Sequence, residues 1–181
     1  PVPITETAYR TPTSPYGLDK FTVDHYARLY HGLYDVETVS PRHFNIYGPE
    51  QTGGDYAVVI LIFCEQALSD EPITINGDGS QTRDFVYISD VVDANLRAAT
   101  TDAVGEAFNI GTGTATSITD LAATIREVSD PSSEHTYTDP RPGDIDESVA
   151  DITKPRGTLG YEPTVSLQDG LQKCIEHRQD G

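Results

Sequence analysis

The chain has 181 residues, which is enough for one domain with a sizeable core. Its net charge of −17, from 29 acidic and 12 basic residues, disfavours nucleic acid and anionic membranes as partners. The acidic residues are dispersed and lysine is scarce, which favours a halophilic protein over an ordinary acidic one.

The cysteines indicate neither a metal site nor a disulfide framework. Cys64 and Cys174 lack the spacing of either, so each is predicted to be a small apolar residue in a helix, and no metal ligands are predicted. We see no signal peptide, and the apolar run at residues 58–64 is too short to cross a bilayer. The predicted location is the cytoplasm.

The first predicted helix begins at Pro15 with Ser14 as its N-cap, and it ends at about Tyr30 with Gly32 as its stop. Periodicity and turn residues predict strands at 36–40, 73–75, 83–88, 107–110 and 135–138, a loop at 42–49 and a turn at 76–79. The apolar run at 57–68 is either a strand or a helix. Three further helices are predicted: one from Ser89 or Asp90 to Ala99 with Val91, Val92, Leu96 and Ala99 inward, one capped by Ser117 and ending at 128, and a last one capped by Ser166 and ending at 177.

Helices alternate with short strands, which predicts an α/β fold. No Gly-x-Gly-x-x-Gly follows an early strand, so the sequence shows no pyrophosphate loop for a dinucleotide. Gly111-Thr112-Gly113 follows a predicted strand, but its spacing does not fit that fingerprint and predicts a turn.

Tyr16 and Lys20 lie four residues apart, so both side chains project from one face of the first helix. An ammonium beside a phenol favours the phenolate, which could exchange a proton with a sugar hydroxyl. The same spacing is common in solvated pairs, so it indicates chemistry only when other motifs support it.

Those motifs resemble the extended short-chain dehydrogenase/reductase family of NAD-dependent nucleotide-sugar epimerases and dehydratases. The resemblance covers essentially the whole chain and rests on five motifs in family order: Tyr16-x-x-x-Lys20, residues 42–49 (RHFNIYGP), residues 75–87 (INGDGSQTRDFVY), residues 108–111 (FNIG) and residues 141–144 (RPGD).

The resemblance implies a role for each matching position. Tyr16 would be the catalytic acid/base, and Lys20 would hold the nicotinamide ribose and favour the phenolate. His43 stands where the family usually has an aromatic residue beside that ribose. The implied substrate-binding residues are Asn45, Arg83 and Arg141 for the diphosphate, Asp144 for the uridine ribose, the backbone of Val59 and Ile60 together with Phe85 for the base, and Ser148 beside the sugar.

The residue types suit these roles, because guanidinium groups bind phosphates bidentately and carboxylates accept from ribose hydroxyls. Structural alternatives remain open for three of them. Arg83 could pair with Asp84 on the surface, Arg141 could cap a turn, and Asn45 could close a turn with its own backbone.

In fold, the resemblance implies the C-terminal part of a Rossmann-type doubly wound sheet plus a small mixed α/β substrate-binding lobe. Residues 1–52 would be the remnant of the NAD-binding domain. Residues 53–181 would be mostly the nucleotide-sugar-binding lobe, with 84–110 returning to the Rossmann sheet. The family's glycine-rich loop and catalytic Ser/Thr would belong to an N-terminal half outside this sequence. We therefore expect feeble NAD binding, no turnover and an exposed apolar face.

The implied parent activity is NAD-dependent 4-epimerisation of a UDP-sugar through a 4-keto sugar. Because Ser148 leaves room where a bulky aromatic residue would exclude them, N-acetylhexosamines should also be accepted. The alternatives are a nucleotide-sugar 4,6-dehydratase and a non-catalytic nucleotide-sugar binding or interaction module. The expected assembly is a homodimer through the first helix, or association through the face left exposed by truncation.

Overall fold

A computed structural model of the chain describes residues 2–52, 59–129, 134–141 and 143–180. Its described part contains six helices: α1 Pro15–Tyr34, α2 Val59–Leu68, α3 Ile88–Ala99, α4 Ile118–Val128, α5 Thr153–Leu159 and α6 Leu167–Asp180. The strands of the same part are β1 Val39–His43, β2 Asn45–Tyr47, β3 Ile73–Asn76, β4 Thr82–Arg83, β5 Phe85–Tyr87, β6 Glu106–Ile110, β7 Thr116–Ser117, β8 His135–Thr138 and β9 Glu147–Ser148.

Most strand pairs are parallel, which confirms the predicted α/β class. β1 pairs with β6, β2 with β5 and β3 with β8, each in parallel. β4 lies between β7, which is antiparallel to it, and β9, which is parallel. Parallel pairs need crossover connections, and helices supply them here.

Two hydrophobic clusters support these sheets. The larger one joins α2, α4 and α6 to β3 and β5, with Phe63, Leu121 and Leu171 at its centre. The smaller one packs α3 on β6 around Phe108 and Tyr161. α2 resolves the ambiguous apolar run as a buried helix, and Ala57 and Val58 of that run lie outside the described residues.

α1 differs from its prediction at its end and on its inner face. It continues through Gly32 to Tyr34 and stops at Asp35, a left-handed residue whose N–H donates to the His31 carbonyl. Asp24 is its one fully buried side chain, while its apolar side chains are partly or largely exposed. The predicted stop at Gly32 is therefore wrong, since glycine within a helix costs only about 1 kcal/mol relative to alanine.

Residues 42–49 were predicted to be a loop, and this is wrong because β1 and β2 occupy most of the segment. Each residue of β1 has a partner in β6, and each residue of β2 has one in β5. Hydrogen bonds to distant strands thus outweigh the local turn signal of Gly48-Pro49.

α3 was predicted to begin at a Ser89 or Asp90 cap and to turn Val92, Leu96 and Ala99 inward. It begins instead at Ile88 after Tyr87, with no side-chain cap. The Asp90 carboxylate is buried and accepts from Thr164 and Val165, which rotates the helix and leaves those three apolar side chains exposed. Val91, Ala94 and Ala98 are the buried ones.

Two other caps are confirmed. The Ser117 hydroxyl accepts from Asp120 N at 2.9 Å, and the Ser166 hydroxyl accepts from Asp169 N at 3.1 Å. The predicted strand at β8 is also confirmed.

α5 was not predicted, because its Pro155 and Gly157 argue against a helix; burial of Pro155 and Leu159 stabilises it. Within the described ranges, no helix is long and apolar enough to span a membrane.

Candidate nucleotide-sugar site

Arg83 and Asp144, which are 61 residues apart in sequence, meet in the fold. Arg83 Nη2 donates to Asp144 Oδ1, and Nη1 donates to the Thr82 carbonyl at 2.7 Å. The Arg83 side chain is largely buried, whereas Asp144 is more open. The suggested surface pair with Asp84 is therefore wrong, since Asp144 is the partner of Arg83.

Asp144 also lines a cavity of about 1040 Å³, which Arg141 shares. Arg141 accepts the backbone N–H of Asp144 through its carbonyl, so a tight turn carries both side chains. Pro142 of this motif lies outside the described residues. The structure therefore places Arg141 and Asp144 in the lining of one cavity, and Arg83, which is not part of that lining, adjoins it through its ion pair with Asp144.

Other cavity residues carried no assignment from the sequence. Asn76 is at the end of β3, where its side-chain oxygen accepts from Thr138 Oγ1 at 3.2 Å and its carbonyl accepts from Gln81 Nε2 at 2.9 Å. Tyr137 and Ile145 add exposed apolar surface. Hydrogen bonds from Ser80 hold the pKa of Asp78, also in the lining, below its usual value. Amide groups beside apolar surface are suited to a flat polar ligand.

Strand pairing brings three further predicted residues near Arg83. Ser148 is directly opposite Arg83 in the β4–β9 pair, and Asn45 is opposite Phe85 in the β2–β5 pair. Phe85 is only 4% exposed and belongs to the larger cluster, so its ring is a core side chain here. Its contact with a base stays a prediction.

Val59 and Ile60 begin α2. The first four N–H groups of a helix have no partner within that helix, so the backbone here is suited to donating hydrogen bonds. The Ile60 side chain is buried, and only its backbone could serve a ligand.

Tyr16 and Lys20 form a pair at the start of α1. The Ser14 hydroxyl accepts from Gly17 N at 3.1 Å, which confirms the predicted N-cap. Lys20 Nζ lies 5.4 Å from the centre of the Tyr16 ring, and Tyr16 is 55% exposed. Neither residue lines the cavity of Arg141 and Asp144. Within the described residues, the pair predicted to be catalytic thus does not share a cavity with the residues predicted to bind the diphosphate.

His43, at the end of β1, is exposed and its Nε2 lies 3.1 Å from Asn95 Oδ1 of α3. This contact fixes the ring between β1 and α3, away from the cavity lining. In the part of the chain that the structure describes, no cluster of His, Cys, Asp or Glu could hold a metal ion.

Asp84 is a residue that sequence reasoning missed. Its side chain is fully buried, and it accepts from Thr112 N and Oγ1 (both 2.7 Å), Gly113 N (2.9 Å) and Ala150 N (3.1 Å). A Cβ on Gly111 would lie 2.6 Å from Asp84 Oδ2, so only glycine allows this approach. The Gly111–Gly113 turn therefore binds a carboxylate of its own chain. In the sequence, the two glycines of this turn directly after a strand were the one signal of a close contact here.

A family model described as the NAD dependent epimerase/dehydratase family matches residues 1–111. A UDP-glucose 4-epimerase of Mycolicibacterium smegmatis is 38% identical over 96% of this chain and 56% of its own length. The chain thus spans about half the length of the curated relatives it matches.

Solved structures are similar over the same extent. A UDP-glucose 4-epimerase with UDP-glucose, from Thermotoga maritima, is 39% identical with a TM-score of 0.94, over 98% of this chain and 57% of that one. A UDP-N-acetylglucosamine 4-epimerase from Methanobrevibacter ruminantium, in complex with UDP-N-acetylmuramic acid, is 31% identical with a TM-score of 0.94, over 99% and 58%.

Proposed function

Because this chain belongs to the NAD dependent epimerase/dehydratase family, we propose that it supplies the C-terminal part of an NAD-dependent UDP-sugar 4-epimerase. The observation that carries the proposal is the ion pair of Arg83 with Asp144, a residue that lines the same cavity as Arg141. Two guanidinium groups match a diphosphate, and a carboxylate in the same region suits ribose hydroxyls. The proposed division assigns residues 1–52 to the cofactor side and most of 53–181 to the substrate side, with 84–110 returning to the cofactor side.

In this proposal Tyr16 is the acid/base. Its phenolate takes the proton of the sugar C4 hydroxyl and later returns it, while the Lys20 ammonium stabilises the phenolate. Bound NAD would supply the hydride chemistry, namely acceptance of the C4 hydride and its return to the other face of the 4-keto sugar. Tyr16, Lys20 and His43 fit the ribose end of such a cofactor, being polar groups at the start of α1 and the end of β1. The sequence offers no glycine-rich loop for its pyrophosphate.

The proposed substrates include N-acetylhexosamines. Ser148 is small and lies opposite Arg83, so it would leave space beside the sugar. Ser148→Tyr in an active full-length protein should lower kcat/KM for UDP-N-acetylglucosamine while sparing UDP-glucose. Equal turnover of both sugars by the variant would contradict this role.

The proposed assembly uses α1. Tyr26, Leu29, Leu33 and Tyr34 are all at least half exposed, which leaves an apolar face without cover among the described residues. A second copy of α1 is the proposed occupant in the full-length protein, and association of the truncation faces is the alternative.

The proposed setting is a high-salt cytoplasm, consistent with the charge of −17 and two free cysteines.

A non-catalytic nucleotide-sugar binding module is the second candidate. It is favoured by the hydrophobic cluster that supports the cavity side independently of α1. A 4,6-dehydratase parent is the alternative enzyme, and it would need a further acid and base.

Calorimetric titration of the chain with UDP-glucose at high salt tests the binding claim. We expect saturable binding that Arg83→Ala weakens at least about tenfold, since it removes a charged phosphate ligand. Arg97→Ala is the matched control, because Arg97 also pairs with an aspartate, Asp93 on α3, but that aspartate does not line the cavity, whereas Asp144 does. No binding by the unaltered chain would overturn the proposal.

A second titration, with NAD, tests the division of labour. We expect no micromolar NAD binding and no interconversion of UDP-glucose and UDP-galactose by these residues alone. Micromolar binding would contradict the proposed placement of the cofactor loop outside this sequence.

A further inference from the structure

The strands that carry Arg83 and Ser148 are too short to hold themselves together. β4, β7 and β9 have two residues each, and each pairing contains only two residue pairs. Short ladders of this kind are marginal in water. Something besides their own hydrogen bonds must therefore fix the direction of the Arg83 side chain.

The Asp84 carboxylate is at the end of all three strands. It is the residue after β4, and it accepts from Thr112 and Gly113, which precede β7, and from Ala150, which follows β9. Its own carbonyl accepts from Asn45 N at 3.0 Å, which adds β2 to the same junction. Asp84 thus joins four segments, three through its carboxylate and one through its carbonyl, and three of these segments carry proposed substrate residues.

Side chains alternate along an extended backbone, so the side chains of Asp84 and Arg83 point to opposite faces of it. The described residues place no cationic side chain against Asp84; its charge is balanced by three N–H groups and one hydroxyl. Losing any of these leaves a buried charge unsatisfied, so the arrangement strongly resists distortion.

We propose that Asp84 is the positioning residue of this site: it fixes the orientation of Arg83 and thereby determines how tightly the phosphates of a nucleotide are bound. The inference rests on the proposed nucleotide-sugar function and goes beyond it, because Asp84 itself would touch no ligand. Replacing Asp84 should therefore weaken the binding of ligands that carry phosphates and change the binding of the nucleoside alone very little.

The chain provides a matched control in Asp90. This carboxylate is also buried, and it too accepts from a threonine N–H and hydroxyl (Thr164) and from a further backbone N–H (Val165). It joins α3 to the segment before α6 and adjoins no proposed substrate residue. Loss of a buried carboxylate in general would therefore affect Asp84 and Asp90 variants alike.

The experiment measures UDP and uridine affinities of the chain by calorimetry and takes their ratio. The variants are Asp84→Asn and the milder Thr112→Val, with Asp90→Asn and Thr164→Val as controls. We expect Asp84→Asn to lower the UDP/uridine ratio about tenfold, as for loss of a charge-assisted phosphate contact. Thr112→Val should lower it about twofold to threefold, since one hydrogen bond to a charge is removed. The controls should keep the ratio even where their melting temperatures fall.

Thr112→Val decides the matter if Asp84→Asn does not fold, because it removes one hydroxyl and keeps the carboxylate. An unchanged ratio in the folded Asp84 and Thr112 variants overturns the inference, and so does an equal fall in the Asp90 and Thr164 controls. If the unaltered chain binds neither UDP nor uridine, the proposed function itself fails, and that result is distinct from both.

Discussion

Two buried carboxylates, Asp24 and Asp84, organise two regions of this molecule in different ways. Asp24 is the one buried side chain of α1 and is surrounded by cations: Arg42 bonds it through Nε and Nη2 at 3.0 and 2.7 Å, with Arg10 and Arg28 within 3.4 and 3.9 Å. Asp84 is bonded by backbone N–H groups and a hydroxyl.

The two regions also differ in the hydrophobic packing that surrounds each carboxylate. Asp84 lies beside hydrophobic clusters that already join helices and strands, so its role is local geometry. α1 has no buried apolar side chain, and among the described elements it packs mainly against β1. The helix with the proposed catalytic pair is thus attached by polar contacts, whereas the cavity side has a core of its own.

The largest expected effect comes from breaking the Asp24 cluster. Arg42→Ala removes the two shortest cationic contacts of Asp24 and the 2.8 Å bond from Arg42 Nη1 to the Glu6 carbonyl. Breaking a buried ion pair costs about 3–5 kcal/mol, and two remaining arginines should keep this case near the lower end. Hydrogen exchange should then accelerate throughout α1 while α4 and α6 stay protected. Uniform acceleration in all three helices would mean that α1 and the cavity-side core unfold as one unit.

A smaller effect is expected from overpacking the cavity-side core. In Gly170→Ala the new Cβ would lie 2.2 Å from the Tyr47 hydroxyl oxygen, which is buried against α6. We expect a loss of about 1–3 kcal/mol in urea unfolding, because a close-packed core cannot accept an extra methyl group.

Gly32→Ala is the matched change in α1, where a Cβ would meet no atom within 4 Å. It should stabilise α1 by about 0.5–1 kcal/mol, since alanine is the better helix former. Equal effects of the two substitutions would contradict the contrast between a packed core and an open helix.

Alkaline pH should weaken both hydrophobic clusters by a modest amount. Burial raises the pKa of Tyr47 in the larger cluster and of Tyr161 in the smaller one well above the usual value. Their neutral forms stabilise the fold fully below about pH 10, and above it only the unfolded chain releases these protons.

Stability should therefore fall as pH rises beyond about 10, by up to about 1.4 kcal/mol per pH unit for each tyrosine. Urea unfolding between pH 9 and 11 measures this slope. The Tyr47→Phe and Tyr161→Phe variants should each flatten it, and a slope that neither variant changes would assign the effect to other groups.

Local signals in the sequence determined the features that depend on neighbouring residues. Ser14, Ser117 and Ser166 begin helices because a cap bonds an N–H three residues away. The α/β class and the order of the family motifs likewise follow from the chain itself.

Tertiary structure decided the features that depend on distant partners. Residues 42–43 and 45–47 belong to strands only because β6 and β5 pair with them, and α3 turns Asp90 inward only because Thr164 and Val165 donate to it. Arg83 likewise acquires Asp144, and Asp84 its three N–H donors, from far along the chain. A sequence records which groups need hydrogen bonds, but the folded backbone selects their partners, because those partners come within reach only after the elements have packed.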